Sequence, residues 1–299
     1  MKKTARLAEM TERMGVVEQP LSERERALVE EARQLFTVFE PGCRPMHERA
    51  RLCRAIAQLE DPEMQAKDKG ETDTLQLQTL RSTLVNCVAD QMDNMPEAVL
   101  SPERPDTARA AEDLTDVVRY VLDQNDYEAL HRARVEDLFV AGTAVMQISW
   151  DEALEHGRGN VAMVRWPIEA IYWDPQAERL QDGRAVFKAS FHPRSWYAQH
   201  YPEQARYIAD VVGEAEESIP DVQQPLMGAD EARVLLLEYW YRRYDARTRT
   251  YAVHVAYVAG GALLYASESA RPQGVYRHGL YPFVVDVYTR VEGAPIGNG

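Results

Sequence analysis

The stretch LFVAGTAVMQISWDEALEHGRGNVAMVRWPIEAIYWDP, Leu138–Pro175, decides how the chain is read. It runs from the end of a helix through a glycine break into a strand, a polar turn, a second strand and a Trp-Asp-Pro corner. Gly142 stands just past the helix end, where a positive φ costs glycine nothing. Beyond it Ala144, Met146, Ile148 and Trp150 alternate with Val145, Gln147, Ser149 and Asp151, the period of a half-buried strand. His156–Asn160 contains two glycines and allows a reversal, and Ala162, Val164 and Trp166 continue as the partner strand of a hairpin. Trp150, Trp166 and Trp173 are expected to pack this sheet.

Working outward, the first half reads as helical. Ser22 and Glu25 have capping-box spacing ahead of an apolar stripe through Leu28, Ala32, Leu35 and Phe39, and Pro41-Gly42 is expected to stop that helix. Further helices are expected over Pro45–Glu60, Thr74–Met92 and Asp106–Asp123, the last turning Leu114, Val117, Val118, Val121 and Leu122 inward. A fifth, capped by Asp126, runs to Gly142. The second half reads as strands: Ala185–Phe191, Val234–Tyr244, Tyr251–Val258, Ala262–Ala266 and Phe283–Tyr288. A helix near Trp196–Val212 and an acidic Glu214–Asp230 segment separate the strand groups. The fold class is therefore α+β. The expected division is a flexible arm at 1–20, a domain at 21–191, a helix with acidic connector at 192–230, and a β meander at 231–299. That meander ends in the loop Pro295–Gly299, so the sequence is expected to be an N-terminal portion of a longer chain.

Composition bounds the function. A net charge of −14 over 299 residues argues against tight general binding to nucleic acid, where affinity comes from Lys and Arg. It suits an acidic wall past which DNA slides. No apolar run reaches the ~20 residues of a membrane helix. Cys43, Cys53 and Cys87 have no metal-ligand spacing and read as reduced thiols. A search for chemistry finds no phosphate loop, no metal-binding histidine pair and no nucleophile elbow, so no catalytic, cofactor or metal residue is assigned. Two features draw other readings. Asp174, between Trp173 and Pro175, fits a corner carboxylate accepting backbone hydrogen bonds, or less readily the acid of a cytosolic hydrolase. Tyr239, Trp240 and Tyr241 beside Arg242 and Arg243 suit a subunit or partner interface or a plain sheet face, and less readily single-stranded nucleic acid.

Four stretches, in this order, resemble the portal proteins of tailed bacteriophages. They are the Gly142 break with the strand ending Trp150-Asp151; Trp166-Pro167 to Trp173-Asp174-Pro175 followed by Asp182–Phe187; Glu238–Tyr241 ahead of a meander; and His278–Leu280 with Tyr281-Pro282-Phe283, running to Gly297-Asn298-Gly299. The resemblance implies a homo-oligomeric ring, usually of twelve subunits, at one vertex of the capsid, with residues 21–191 as a wing and the meander as a clip. It implies double-stranded DNA passing through without sequence-specific contact. It also implies large terminase, scaffolding protein, major capsid protein and a tail adaptor as partners, with assembly in the host cytoplasm, no membrane, no cofactor and no enzymatic activity. Stem and crown helices would follow the terminal loop. A non-viral interaction module is the remaining alternative.

Overall fold

A computed structural model describes residues 19–58, 71–208, 233–246 and 249–298. Residues 1–18 of the expected arm and the acidic segment Glu214–Asp230 lie outside them. The chain divides into two compact units, neither continuous in sequence: Met1–Pro45 with Glu169–Tyr281, and Met46–Ile168 with Pro282–Gly299. The stretch Leu138–Pro175 is thus cut at Ile168, placing Trp150 and Trp166 in one unit and Trp173 in the other.

The first unit is built on a five-stranded antiparallel sheet in the order β3-β4-β5-β6-β7, comprising Ile171–Trp173, Ala185–Pro193, Arg233–Asp245, Thr250–Ala259 and Ala262–Ala266. Strand β5 carries the run VLLLEYWY, which is apolar on both faces because both are covered. On one face Tyr172, Phe187 and Tyr239 lie side by side in register and meet Phe36 and Phe39 of helix α1, Glu23–Gln58. The other face packs a short helix, Arg194–His200, whose buried Tyr197 donates its hydroxyl to the Val234 carbonyl at 2.9 Å. The side-chain amide of Gln19 both donates to and accepts from the Leu263 backbone at 2.8 Å, occupying an edge strand that would otherwise be open.

Three expectations need correcting here. Helix α1 does not stop at Pro41-Gly42 but runs through Pro41 and Pro45 to Gln58, 36 residues in all. An internal proline costs ~3 kcal/mol or more by deleting a backbone bond. The helix persists because Phe39 and Cys43 beside it are completely buried and Arg44 grips Glu40 with two 2.8 Å hydrogen bonds. The connector after β4 does not separate two sheets, since β4 pairs with β5 from Ala185↔Tyr241 to Pro193↔Arg233. Finally, the helical expectation over Trp196–Val212 reduces to the seven-residue helix and one 3-10 turn at Ala205–Tyr207, with 209–212 outside the described residues.

The second unit holds a three-stranded sheet in the order β2-β1-β8, with Thr143–Asp151 central between Asn160–Trp166 and Phe283–Val287. Strand β8, expected with the meander, pairs instead with β1, Val145 facing Val285. The first five residues of β1 are all buried rather than alternating, so both faces of the strand are covered there. Helices α2 (Glu71–Met92), α3 (Ala108–Gln124) and α4 (Tyr127–Ala141) complete the unit. Asp126 precedes α4 with φ 48 and its side chain makes no cap, contrary to expectation. Helix α3 turns Ala111 and Thr115 inward and leaves Leu114 and Val117 exposed, the reverse of the inward face read for those two. Trp150 is 51% exposed, so it does not belong to the core of the sheet.

Charge is buried here as well. Asp137 on α4 is 1% exposed and accepts from Arg54 at 3.0 Å and from both Nε and Nη2 of Arg165. Such a hub tolerates loss badly, because two guanidinium groups are left facing a neutral side chain. Asp137→Ala should cost about 3–5 kcal/mol of unfolding free energy, read from urea titration. Gly42→Ala tests the packing of α1. In an ordinary helix this change stabilises by about 0.5–1 kcal/mol, but here the new Cβ would stand 2.5 Å from Cγ of Pro175. We expect destabilisation by about 1–3 kcal/mol instead, measured as a lowered urea midpoint.

Candidate functional site

Residues singled out from the sequence fall into two separate places. In the second unit Gly142 ends α4 in the left-handed region at φ 73, its N–H donating to the Leu138 carbonyl at 3.1 Å. Its own carbonyl accepts from the Tyr288 N–H at 3.0 Å. Gly297 lies so close that a Cβ there would stand 2.5 Å from the Gly142 oxygen. The Gly297 N–H also donates to Thr143 Oγ1 at 2.9 Å. Two glycines 155 positions apart thus meet at one backbone crossing. Trp150 lies across the hairpin turn, where a Cβ at Gly159 would come within 2.5 Å of its ring. Asp151 closes that turn by accepting the Ala153 N–H at 2.8 Å. Trp166 donates to Gln147 Oε1 at 2.9 Å, and Pro167 ends β2 ahead of a 3-10 turn. Pro282 accepts the Ile148 N–H at 2.8 Å, and Phe283 is buried beside it. All of these contacts hold backbone in place. Gly299 lies outside the described residues.

In the first unit Trp173 is buried and its carbonyl accepts the Cys43 thiol at 3.5 Å. Burial pushes that thiol up to about 12, so it is an inert packing group. Asp174 is 4% exposed and saturated with donors: Arg184 through Nε at 2.5 Å and Nη2 at 3.0 Å, with the backbone N–H of Gln176 and of Arg184. Arg184 chiefly, then the backbone donors, hold this carboxyl below its ordinary value. A general acid needs the opposite shift. The neighbouring cavity is lined by Asp182, Gly183 and Arg184 but not by Asp174. The geometry is that of a corner clamp.

Tyr239, Trp240 and Tyr241 are 1–3% exposed, inside the sheet rather than at its surface. That burial fits a sheet face. Tyr241 stacks on Tyr239 at 4.6 Å, and Tyr239 on Phe187 at 4.9 Å. Arg243 lies over Tyr241 and is held by Glu31, at 3.0 and 2.6 Å, and by Glu268 at 3.0 Å. Arg242 covers the ring of Tyr281 at 4.5 Å.

Sequence reasoning missed the buried charges. Lys188 and Glu238 face each other across β4 and β5 as a buried ion pair. The signal was present: each is the single charge within an apolar run, AVFKASF and LLLEYWY. Among the described residues Ser190 contacts His192 at 3.0 Å and Ser267 contacts His254 at 3.2 Å. Ser267 is wholly buried and accepts the Val255 N–H, so it braces a strand. Burial and Lys188 bring His192 down to about 4, leaving it neutral at pH 7. Among the described residues no cluster of His, Cys, Asp and Glu is arranged to hold a metal, and no helix is long and apolar enough to cross a membrane.

Because the folded-state pKa of Asp174 is depressed, its contribution to stability is present above the ordinary value of 3.8 and is lost as pH falls through the lowered one. Asp174→Asn should therefore be markedly less stable than wild type at neutral pH. The gap should narrow on acidification below that ordinary value, as followed by urea unfolding at stepped pH.

The sequence model of one protein family, described as phage P22-like portal protein, matches residues 40–273. No match was found among curated proteins. The matched span contains, in this order, the Gly142 break, the Trp-Asp-Pro corner and the aromatic strand. Matched over most of its length, the chain belongs to the phage P22-like portal protein family, the head-to-tail connectors of tailed bacteriophages.

Proposed function

We propose that this protein assembles as a ring at one capsid vertex, through which double-stranded DNA enters during packaging and leaves during ejection. In this reading the ring docks the large terminase while DNA is packaged and a tail adaptor afterwards. Scaffolding and major capsid proteins surround it, first in the host cytoplasm and then in the virion. Membership of the portal family carries the proposal.

The electrostatics support it. With 48 acidic against 34 basic side chains, each copy adds −14 to a ring of like subunits. A conduit must let a polyanion slide. Each phosphate neutralised by Lys or Arg releases counterions and deepens binding, so a passage rich in basic residues would retain DNA. An acidic surface repels phosphate at short range and leaves no lasting grip. The work of packaging then falls to the terminase motor, and the carboxylate at Asp174 and the Ser–His contacts serve structure.

Electron microscopy of the purified full-length protein should show closed rings with a central hole. Linear duplex DNA should bind weakly, with little retention at physiological salt. A protein that stays monomeric at every concentration, or that holds duplex tightly, would sink this reading.

A further inference from the structure

Charge is shared unevenly between the two units. The second has 25 acidic against 14 basic side chains, the first 23 against 20. Within the second unit the excess concentrates between Asp90 and Glu128, from the end of α2 to the start of α4. Eleven acidic residues there, all exposed, meet three basic ones. Two of the three are already committed: Arg104 lies 3.9 Å from Asp106, and Arg119 reaches Glu97 at 2.6 Å and Asp116 at 3.6 Å. Glu112, Asp113 and Asp123 on α3 have no ion pair among the described residues. Glu112 and Asp113 stand four and three positions before Asp116, spacings at which like charges repel.

The same helix exposes an apolar row. Ala110, Leu114, Val117 and Val121 follow one another at spacings of four, three and four, so they line one side of α3. Leu114 and Val117 are 51% and 55% exposed, beside the inward row of Ala111 and Thr115. The loop before α3 extends this surface. Val99 is 65% exposed, and Leu100 donates its N–H to Thr115 Oγ1 at 3.1 Å.

We propose that this row of α3 docks a basic amphipathic helix of a partner protein. Spacings of three and four are the seam along which one helix packs on another, so the row asks for a helix. The surplus of unpaired carboxylates asks for Lys and Arg beside the partner's apolar groups. A second α3 would bring acid against acid, and so would nucleic acid; like charges across a contact select against both. Leu114 and Val117 supply the apolar contact, while Asp113 and its acidic neighbours choose the partner and speed its arrival. The inference goes beyond the ring reading and does not need it, since each copy carries the whole surface.

The test follows fluorescence anisotropy of labelled synthetic helices, each of about 18 residues, on the full-length protein. One probe has leucine at the seam positions and lysine elsewhere; the second replaces lysine by glutamate, the third replaces leucine by serine. The first should bind at least about tenfold more tightly than either of the others. Raising salt from about 0.05 M to about 0.5 M should weaken it. Leu114→Ser/Val117→Ser should lower affinity for the first probe at least about tenfold, and Asp113→Asn/Asp123→Asn about threefold. All four positions are exposed, so an unchanged thermal melt separates these losses from misfolding. Glu178→Gln/Glu203→Gln removes as much charge from exposed positions of the first unit and should leave binding unchanged. No binding of the leucine-lysine probe overturns the proposal. So does full binding to Leu114→Ser/Val117→Ser, or a loss at Glu178→Gln/Glu203→Gln equal to that at Asp113→Asn/Asp123→Asn, which would reduce the attraction to net charge. Ring formation is not read in this assay, so the ring reading stands or falls separately.

Discussion

An aromatic ladder capped by one carboxylate holds the first unit together. Phe36 and Phe39 on α1 meet Phe187 on β4, which stacks on Tyr239, which stacks in turn on Tyr241. Buried rings of this size bring the largest apolar area a side chain can offer, and offset contacts add about 0.5–1.5 kcal/mol per pair. The ladder ends where Glu31 of the same helix accepts the Tyr239 hydroxyl at 3.1 Å and grips Arg243. Arg243 and the tyrosine hydroxyl hold that carboxyl below its usual range. With this arrangement in place, α1 keeps its course through two prolines, and Gly42 can lie against Pro175.

The second unit depends on a different economy. Strand β1 is central, with β2 from the adjacent hairpin on one side and β8, more than 130 residues later, on the other. Ladder bonds on both sides leave little freedom in its register. Asp137 serves Arg54 and Arg165, and Arg134 reaches Asp286 of β8 at 2.6 Å. Charges so placed cost desolvation and add little net stability, but a slipped register would leave each of them unpaired. They fit the role of specifying one arrangement.

As a portal, the chain shows how a connector is served by residues that resemble catalytic ones. Asp174 and Arg184 form a bidentate clamp in the corner that follows β3. The Ser–His contacts and the buried Lys188–Glu238 pair are likewise consumed inside the sheet. The partners that these groups have lie in the same unit, and that is what structural duty requires.

Much of the fold was legible from local pattern. The Ser22–Glu25 capping box, the Gly142 helix end, the β1–β2 hairpin and the meander strands all follow from periodicity and turn chemistry, which act over a few residues. So did the family, because the order of motifs along the chain survives without knowledge of their contacts. What local pattern could not supply was which strands share a sheet and which side of a helix is inward. Pro41-Gly42 reads as a stop until Phe39 and Cys43 are seen to be buried. Leu114 and Val117 read as core until Ala111 and Thr115 are seen to take that place. β8 reads as meander until it is found beside β1. The sequence by itself determined most of the elements, their order and the portal family. The tertiary structure alone decided the pairings, the interleaving of two units and the burial of charge, because those depend on long-range burial whose free energy outweighs local propensity.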